Sequence, residues 1–484
     1  MSCPPVDSQT DGTSFSKNQE SGVVRDSKRT YRWGPVKGEE GYALAYVLIL
    51  ITILTILCAA ILHIQLFRRD LASRSVDHIR AEYAANNGIE AAVVAPLPVA
   101  SADSSFSVRF PDSSYAEVTV FHWGFFEEVL SYGYANSVRV SRTALLANRL
   151  SENDSPALAL ANLQHGLTLT GKALISGNVA VGPRGASTGD MPGSVEPYQL
   201  PVYGKVLQST SPLQTIDTSL IDQEASFLEM ALPLSHRRRT DPEFSGLVID
   251  TAGYIDLSEL DDTVAGVFSR GNLTLIGTVM KRGPPLSIVA AGNITLLPGL
   301  VLDGPIAVVS TDSILIPAHI NLINSLIISP KSIHLQRGAS ITAQLISPVI
   351  NCASDTRMLY PSLLASLNLS DSSGIKQLIR IQSGASICGS VIMRVGRGIP
   401  FTDAVINVGR GSDVTGDICT DGYLTMDGNV DGFVRTFDLY FYKSPTTYLG
   451  WMRGGVINRK KLPGGFLLPF GVTGNGGMEV LSWL

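Results

Sequence analysis

The sequence predicts a mainly β protein carried on one long N-terminal helix. A transmembrane α-helix is followed by a small β-rich segment and then by a right-handed parallel β-helix, or solenoid. Three observations lead there. One uncharged apolar run, Tyr42 to Leu62, lies near the N-terminus. A 13-residue pattern with apolar residues at positions 1, 3, 9 and 13 recurs six times between Leu167 and Ile418. Only 16% of the 484 residues are charged, and 46 are glycine, a balance that suits stacked β-branched rungs and turns better than helices.

Residues 1–40 are polar, rich in Ser, Asp and Lys, and are expected to form a disordered cytoplasmic leader. The apolar run has 21 residues; at about 1.5 Å each it spans the roughly 30 Å hydrocarbon layer. A signal-peptide core is shorter, about 7–15 residues, and ends in a small-residue cleavage site. Here Arg68 and Arg69 follow instead. Arg25, Lys28, Arg29, Arg32 and Lys37 precede the run, and Arg68, Arg69, Arg74 and Arg80 follow it. This bias, five against four, points to a cytoplasmic N-terminus. From Gln65 to Val93 helix formers dominate, and Ile64, Phe67, Leu71, Ile79 and Tyr83 mark a narrow apolar stripe. Pro96 and Pro98 stop the pattern. Residues 41–95 are therefore expected as one transmembrane and stalk helix. Its stripe packs either on its own domain or among copies of similar helices.

The order of Gly41, an uncharged hydrophobic run, and an amphipathic helix closing in AEYAANNGIEAAV (Ala81 to Val93) resembles the N-terminus of type IV pilin-like proteins, in particular PilX-type minor pilins. The stretch Glu117 to Ala147 is similar to the strand region of that group, with Gly124 and the step Ser131-Tyr132-Gly133 between short strands. The resemblance covers residues 38–150 and implies a small pilin-like strand region over 96–150. It also implies a prepilin peptidase acting at Gly41–Tyr42, other pilin-like subunits as partners, and a bacterial inner-membrane protein whose body is periplasmic or at the cell surface. Two departures stand out. Tyr46 occupies the place where major pilins carry glutamate, and Asn86 the place of a glutamate in the PilX-type stretch. An uncleaved permanent anchor is the other reading of the same segment.

The repeats begin at Leu167, Ile294, Ile314, Ile333, Ile379 and Ile406, with a weaker copy at Gly422. Position 6 is glycine in four of them: Gly299, Gly338, Gly384 and Gly411. An apolar-x-apolar step points alternate side chains to one face of a short strand, and glycine supplies the positive φ of a corner. Three strands and three corners consume about 20 residues, and stacking buries apolar rows that no single rung could bury. Residues 165–440 are thus expected as the β-helix, with Ile314, Ile316, Ile333, Leu335, Ile379 and Ile381 pointing inward. The rungs resemble those of bactofilins, which implies a structural or polymerising module. A Pro-, Ser- and Gly-rich stretch over 183–244 and a shorter one over 351–374 read as insertions. Residues 441–484, rich in aromatics, read as a C-terminal cap. Cys352, Cys388 and Cys419 lie on the side expected outside the cytoplasm, where a bridge can form.

Chemistry is sparse. No G-x-S-x-G, H-E-x-x-H or P-loop occurs, and the net charge of −5 gives no footprint for nucleic acid. No set of acidic residues recurs at rung spacing, so no enzyme activity is expected. DGNVDGFVRTFD places Asp427, Asn429, Asp431 and Asp438 at positions 1, 3, 5 and 12 of a candidate calcium loop. The same residues also fit a rung, because Asp-Gly steps make corners. Three functional classes stay open: a minor pilin or pseudopilin displaying a β-helix in a structural, assembly or adhesive role; a single-pass membrane protein with a bactofilin-like module; and an anchored carbohydrate-active enzyme. Each has the lipid bilayer as a partner.

Overall fold

The computed structural model describes residues 42–94, 104–150, 156–190, 201–211, 215–231, 247–261, 263–281, 285–369, 376–472 and 477–484. Helix α1 (Tyr42–Val94) is unbroken. Thr52 and Thr55 sit in the apolar run, yet each hydroxyl donates to the carbonyl four residues back, Leu48 at 2.7 Å and Ile51 at 2.6 Å. A hydroxyl is satisfied in this way where water is scarce. Burial begins only at Asp77 and then follows helical spacing through Ala81, Ala84, Ala85, Gly88, Ile89 and Ala92.

That small-residue face rests on an antiparallel meander, β1 (Ser104–Arg109), β2 (Tyr115–Trp123), β3 (Phe126–Ala135) and β4 (Val138–Arg149). Backbones meet closely here. A Cβ at Gly133 would lie 1.9 Å from the Ala81 carbonyl oxygen, and one at Gly88 would lie 2.3 Å from Ser131 Oγ. Asn136 Nδ2 donates to Asp77 at 2.9 Å, and Arg142 pairs with Glu82. The free side of β4 is taken by Leu467–Leu468 and Met478–Trp483, both antiparallel. The C-terminal residues expected as a cap therefore return in part to the helix-bearing sheet. Met478 and Val480 pack against the cluster of Ile89, Val118, Val129 and Ala144, so an alternating apolar strand covers an edge that would otherwise be open.

Between β4 and these closing strands the chain builds a large sheet in a solenoid-like arrangement of parallel strands. One row stacks Leu273, Ile294, Ile314, Ile333, Ile350, Ile379, Ile406, Leu424 and Leu439 in register. A second stacks Met358, Ile387, Val414, Val430, Ile457 and Ile175. A third stacks Val308, Ile327, Leu345, Leu364, Val391, Ile418 and Val434. All three rows share one core cluster. The six residues expected inside, Ile314, Ile316, Ile333, Leu335, Ile379 and Ile381, are at most 2% exposed.

The segment read as an insertion over 351–374 is for its larger part a rung. Val349–Cys352 and Arg357–Ser366 pair in parallel with strands on both sides. Its corner is Asp355, with φ of 59°, in the place where neighbouring rungs carry Gly338 and Gly384, both at 79°. His319 holds the same corner one rung earlier at 59°. Asp and His are among the side chains that tolerate this conformation best. The stretch over 183–244 also contributes strands, at Ala186–Thr188, Val202–Tyr203 and Val206–Gln208. It then forms α2 (Thr218–Ala231); residues 191–200, 212–214 and 232–246 lie outside the described residues.

Strand order along the stack departs from chain order. Leu158–Leu160, the first strand after β4, stacks on Asn429–Thr436, and Val456–Asn458 lies between Asn429–Thr436 and Leu174–Ser176. The chain lays its first rungs at one end and crosses to Leu247–Asp256. From there it returns rung by rung to stop beside its own beginning.

Candidate functional site

Three features carry chemistry: the exposed helix surface, the seam between sheet and solenoid, and the acidic residues near the last rungs. On α1, every large apolar side chain from Leu44 to Phe67 is exposed, and the window of membrane-crossing hydropathy is unburied among the described residues. The stripe residues Ile64, Phe67, Leu71, Ile79 and Tyr83 are 50–66% exposed. They lie away from the face that Ala81, Ala85 and Gly88 press on the sheet. Of the two alternatives for the helix, packing on its own domain holds for its last third, through Ala81, Ala85, Gly88 and Ile89, while the stripe residues stay exposed. Tyr42 opens the helix, and Tyr46 is exposed on it. Gly41 and the leader over 1–40 lie outside the described residues.

At the seam, the outward side of one solenoid face is apolar, with Leu326, Ile328, Ile346, Leu363, Ala365 and Ile392 buried. It is covered by Trp123, Phe125 and Phe126 from the β2–β3 turn, by Phe466–Leu468, and by Ile221 of α2. Polar side chains stand in one row of this surface: Gln344 and, beyond Leu363, Ser390 and Asp417. Gln344 accepts from the Phe125 amide through Oε1 at 2.9 Å and donates to the Trp123 carbonyl through Nε2 at 2.7 Å. The turn is held by Gly124 at φ 62°, where a Cβ would sit 2.5 Å from Gln344 Oε1. Two acids are buried nearby in the fold. Glu128 is 0% exposed, neither carboxyl oxygen has a hydrogen-bond partner among the described residues, and burial pushes the group up to about 8. Asp417 is raised to about 6 by burial, against the opposing pull of hydrogen bonds from Ser390 and Cys419.

The four candidate calcium ligands are spread over a corner, at Asp427, and two strands, with Asn429 and Asp431 on one and Asp438 on the next, and have separate partners. Asp427 pairs with Arg453 at 3.3 Å, and Asp431 with Lys461 at 3.6 Å. Asn429 donates to Asp413 at 2.8 Å. Asp438 is fully buried and accepts from Asn162 at 2.7 Å and His165 at 2.8 Å, which ties the first rung to the last. Asn429 through Thr436 is an extended strand, so these side chains point along a rung instead of folding around one point. Among the described residues no cluster of three or more His, Cys, Asp or Glu is gathered for a metal. Of the three cysteines expected outside the cytoplasm, Cys388 is disulfide-bonded. Cys352 faces the solenoid core and Cys419 the seam, both free and buried, so no bridge joins them.

Two of these features lay outside the sequence expectations. Gln344 gives no signal in its rung, because its role depends on a turn far away in sequence. Glu128 gives one: FFEEVL (Phe125 to Leu130) puts acids where an apolar strand expects none.

No protein-family model matches the chain, and no curated protein matches it. Five solved chains do. The competence-associated pilin ComZ from Thermus thermophilus aligns at 11% identity over 84% of this chain and 97% of its own, with a TM-score of 0.21. An ice binding protein from an Antarctic bacterium, Flavobacteriaceae, aligns at 10% identity over 62% of this chain and 94% of its own, with a TM-score of 0.16. The chain is β-rich, and among the described residues it has one apolar helix of membrane-spanning length. It bears a distant, partial structural likeness to a pilin-type protein.

Proposed function

We propose that this chain is a pilin-like subunit: a minor pilin or pseudopilin anchored by α1 that displays a right-handed parallel β-helix outside the cytoplasm. The observation that carries the reading is the division of α1. Its last third is seated on an antiparallel sheet through Ala81, Ala84, Ala85, Gly88 and Ile89, while the stripe through Ile64, Phe67, Leu71 and Tyr83 is exposed. Above the bilayer such a stripe faces water unless similar helices cover it, and packing among copies gives it a partner. The role assigned is structural or adhesive, not catalytic. The N-terminus is cytoplasmic and the body periplasmic or at the surface, so a phosphatase fused after Val93 is active.

Prepilin peptidase is the implied partner at Gly41–Tyr42. Replacing Gly41 with a bulky residue leaves the leader attached. Glu39 and Glu40 then stand at the membrane-side end of the helix, where packing against apolar neighbours carries a desolvation cost. The test is N-terminal sequencing of the protein from its native host. A chain beginning at Tyr42 supports the subunit reading. One beginning at Met1 or Ser2 refutes it and leaves a single-pass protein with a bactofilin-like module.

A further inference from the structure

A second surface lies on a solenoid face that neither the helix nor the seam uses. In successive rungs His334, Asn351, Arg380 and Asn407 stand directly over one another, with Thr425 next. All five alternate with buried core residues and are exposed or half-exposed. The upper part of this ladder borders an open cleft of about 620 Å³ lined by His334, Gln336, Arg337, Asn351, Arg380 and Gln382, with Leu335 and Ala353. The lining holds two arginines and a histidine and no carboxylate. Arg337 is engaged by Asp355 at 2.8 Å. Arg380 is exposed and has no ion-pair partner among the described residues. His334 is held in place by Ser332 at 2.9 Å and Asn351 at 3.2 Å. At its other end the same face carries aromatic rings. Tyr423 lies 5.5 Å from Tyr440 and 6.0 Å from Phe437, and Phe401, 45% exposed, stacks on Phe437 at 4.8 Å.

We propose that this face binds an acidic polysaccharide. Its anionic groups sit in the cleft on Arg380 and His334, and its sugar rings run along Asn351, Asn407 and Thr425 to the aromatic cluster. Amide and hydroxyl side chains both donate and accept, as sugar hydroxyls do. Ring faces offer an apolar platform with polar edges, and an unpaired guanidinium matches a carboxylate or sulfate. The rungs repeat at about 4.8 Å, so the ladder offers like contacts to successive units of an extended chain. The positive charge is local, because the chain as a whole carries −5. A narrow cationic cleft on an acidic body favours a slender polyanion over a duplex that would press on the wider surface.

The inference rests on the reading above for the side of the membrane on which this face is displayed. Its test uses the purified full chain in detergent micelles, so it is independent of fibre assembly. Polygalacturonate and dextran sulfate are the probes, with neutral dextran and a short DNA duplex as comparisons. Saturable binding to an acidic glycan is expected, weakened about ten-fold or more by Arg380→Gln and by Phe401→Ala. Arg139→Gln, on the antiparallel sheet, leaves it unchanged. Arg380 is exposed and unpaired, so its variant keeps the parent's melting temperature. Preference for polygalacturonate or for dextran sulfate distinguishes carboxylate from sulfate. Equal binding of neutral dextran, DNA bound as tightly with the same sensitivity to Arg380, or no saturable binding would each overturn the proposal. A chain that binds but begins at Met1 keeps this inference and loses the subunit reading.

Discussion

Gln344→Leu tests whether one amide side chain fastens the helix-bearing sheet to the solenoid. Gln344 is 3% exposed and makes two hydrogen bonds, 2.9 Å from the Phe125 amide and 2.7 Å to the Trp123 carbonyl. Leucine has similar volume and would suit the surrounding Leu326, Ile346 and Leu363. The change therefore isolates the polar contribution from a packing defect. It strands a buried N–H and a buried C=O, each at about 1–3 kcal/mol, so the seam should weaken by roughly 2–6 kcal/mol. Native-state hydrogen exchange of the peptide containing Trp123 to Phe126 reads this directly. A loss of about 2 kcal/mol corresponds to roughly thirty-fold faster exchange, since about 1.4 kcal/mol is a factor of ten. Gln344→Glu retains the acceptor for Phe125 but not the donor for Trp123, and should also open the seam. Exchange unchanged in Gln344→Leu would refute the clamp.

Three further outcomes follow from the packing. Leu335→Asp places a charge in a row that is 2% exposed and should cost roughly 4 kcal/mol or more; a soluble, protease-resistant L335D body would argue against the inward row. Gly416→Ala should cost about 2–5 kcal/mol, because its φ is 146° and a Cβ would lie 1.9 Å from the Gly389 carbonyl oxygen; wild-type resistance to urea would count against the close approach. Glu128 holds its proton in the folded state up to about 8 against a usual 4.5. Stability is therefore fully present below about pH 4.5 and lost as pH rises through about 8. Glu128→Gln should flatten that decline in urea titrations, and equal slopes in both proteins would contradict it.

The parts legible in the sequence were those set by local period. The apolar run, the stripe and the proline stop mark α1, and the 13-residue pattern marks rungs whose rows then stack in register. What escaped was set by distant contacts or by a substitution that keeps the physics while changing the letter. Asp355 replaces the corner glycine, so its rung passed for an insertion, although Ile350 and Cys352 already supply the apolar-x-apolar step. The closing strands near Leu467 and Met478 pair with β4, a partner that no local pattern names. The AEYAANNGIEAAV stretch was read through a resemblance, and its physical reason lies in Gly133, which lets Ala81 and Ala85 approach the sheet. At Asp427 to Asp438 the local pattern is ambiguous by nature, because oxygens at every second position suit a cation loop and the outward side of a strand equally well.

The solenoid begins and ends beside the same rung, with Leu158–Leu160 on Asn429–Thr436, and both of its chain connections lead back to β4 and its neighbours. Growth of the stack is thereby separated from its mounting. Whole rungs gained or lost between Val264 and Ser310, before the rungs of Leu326 and Gln344 that hold the β2–β3 turn, would move only the far end, by about 4.8 Å each, while the stem sheet, the Gln344 clamp and the helix keep their places. Descendants of this chain can thus differ in the length of the stack without any change to the surfaces that mount it on the helix-bearing sheet.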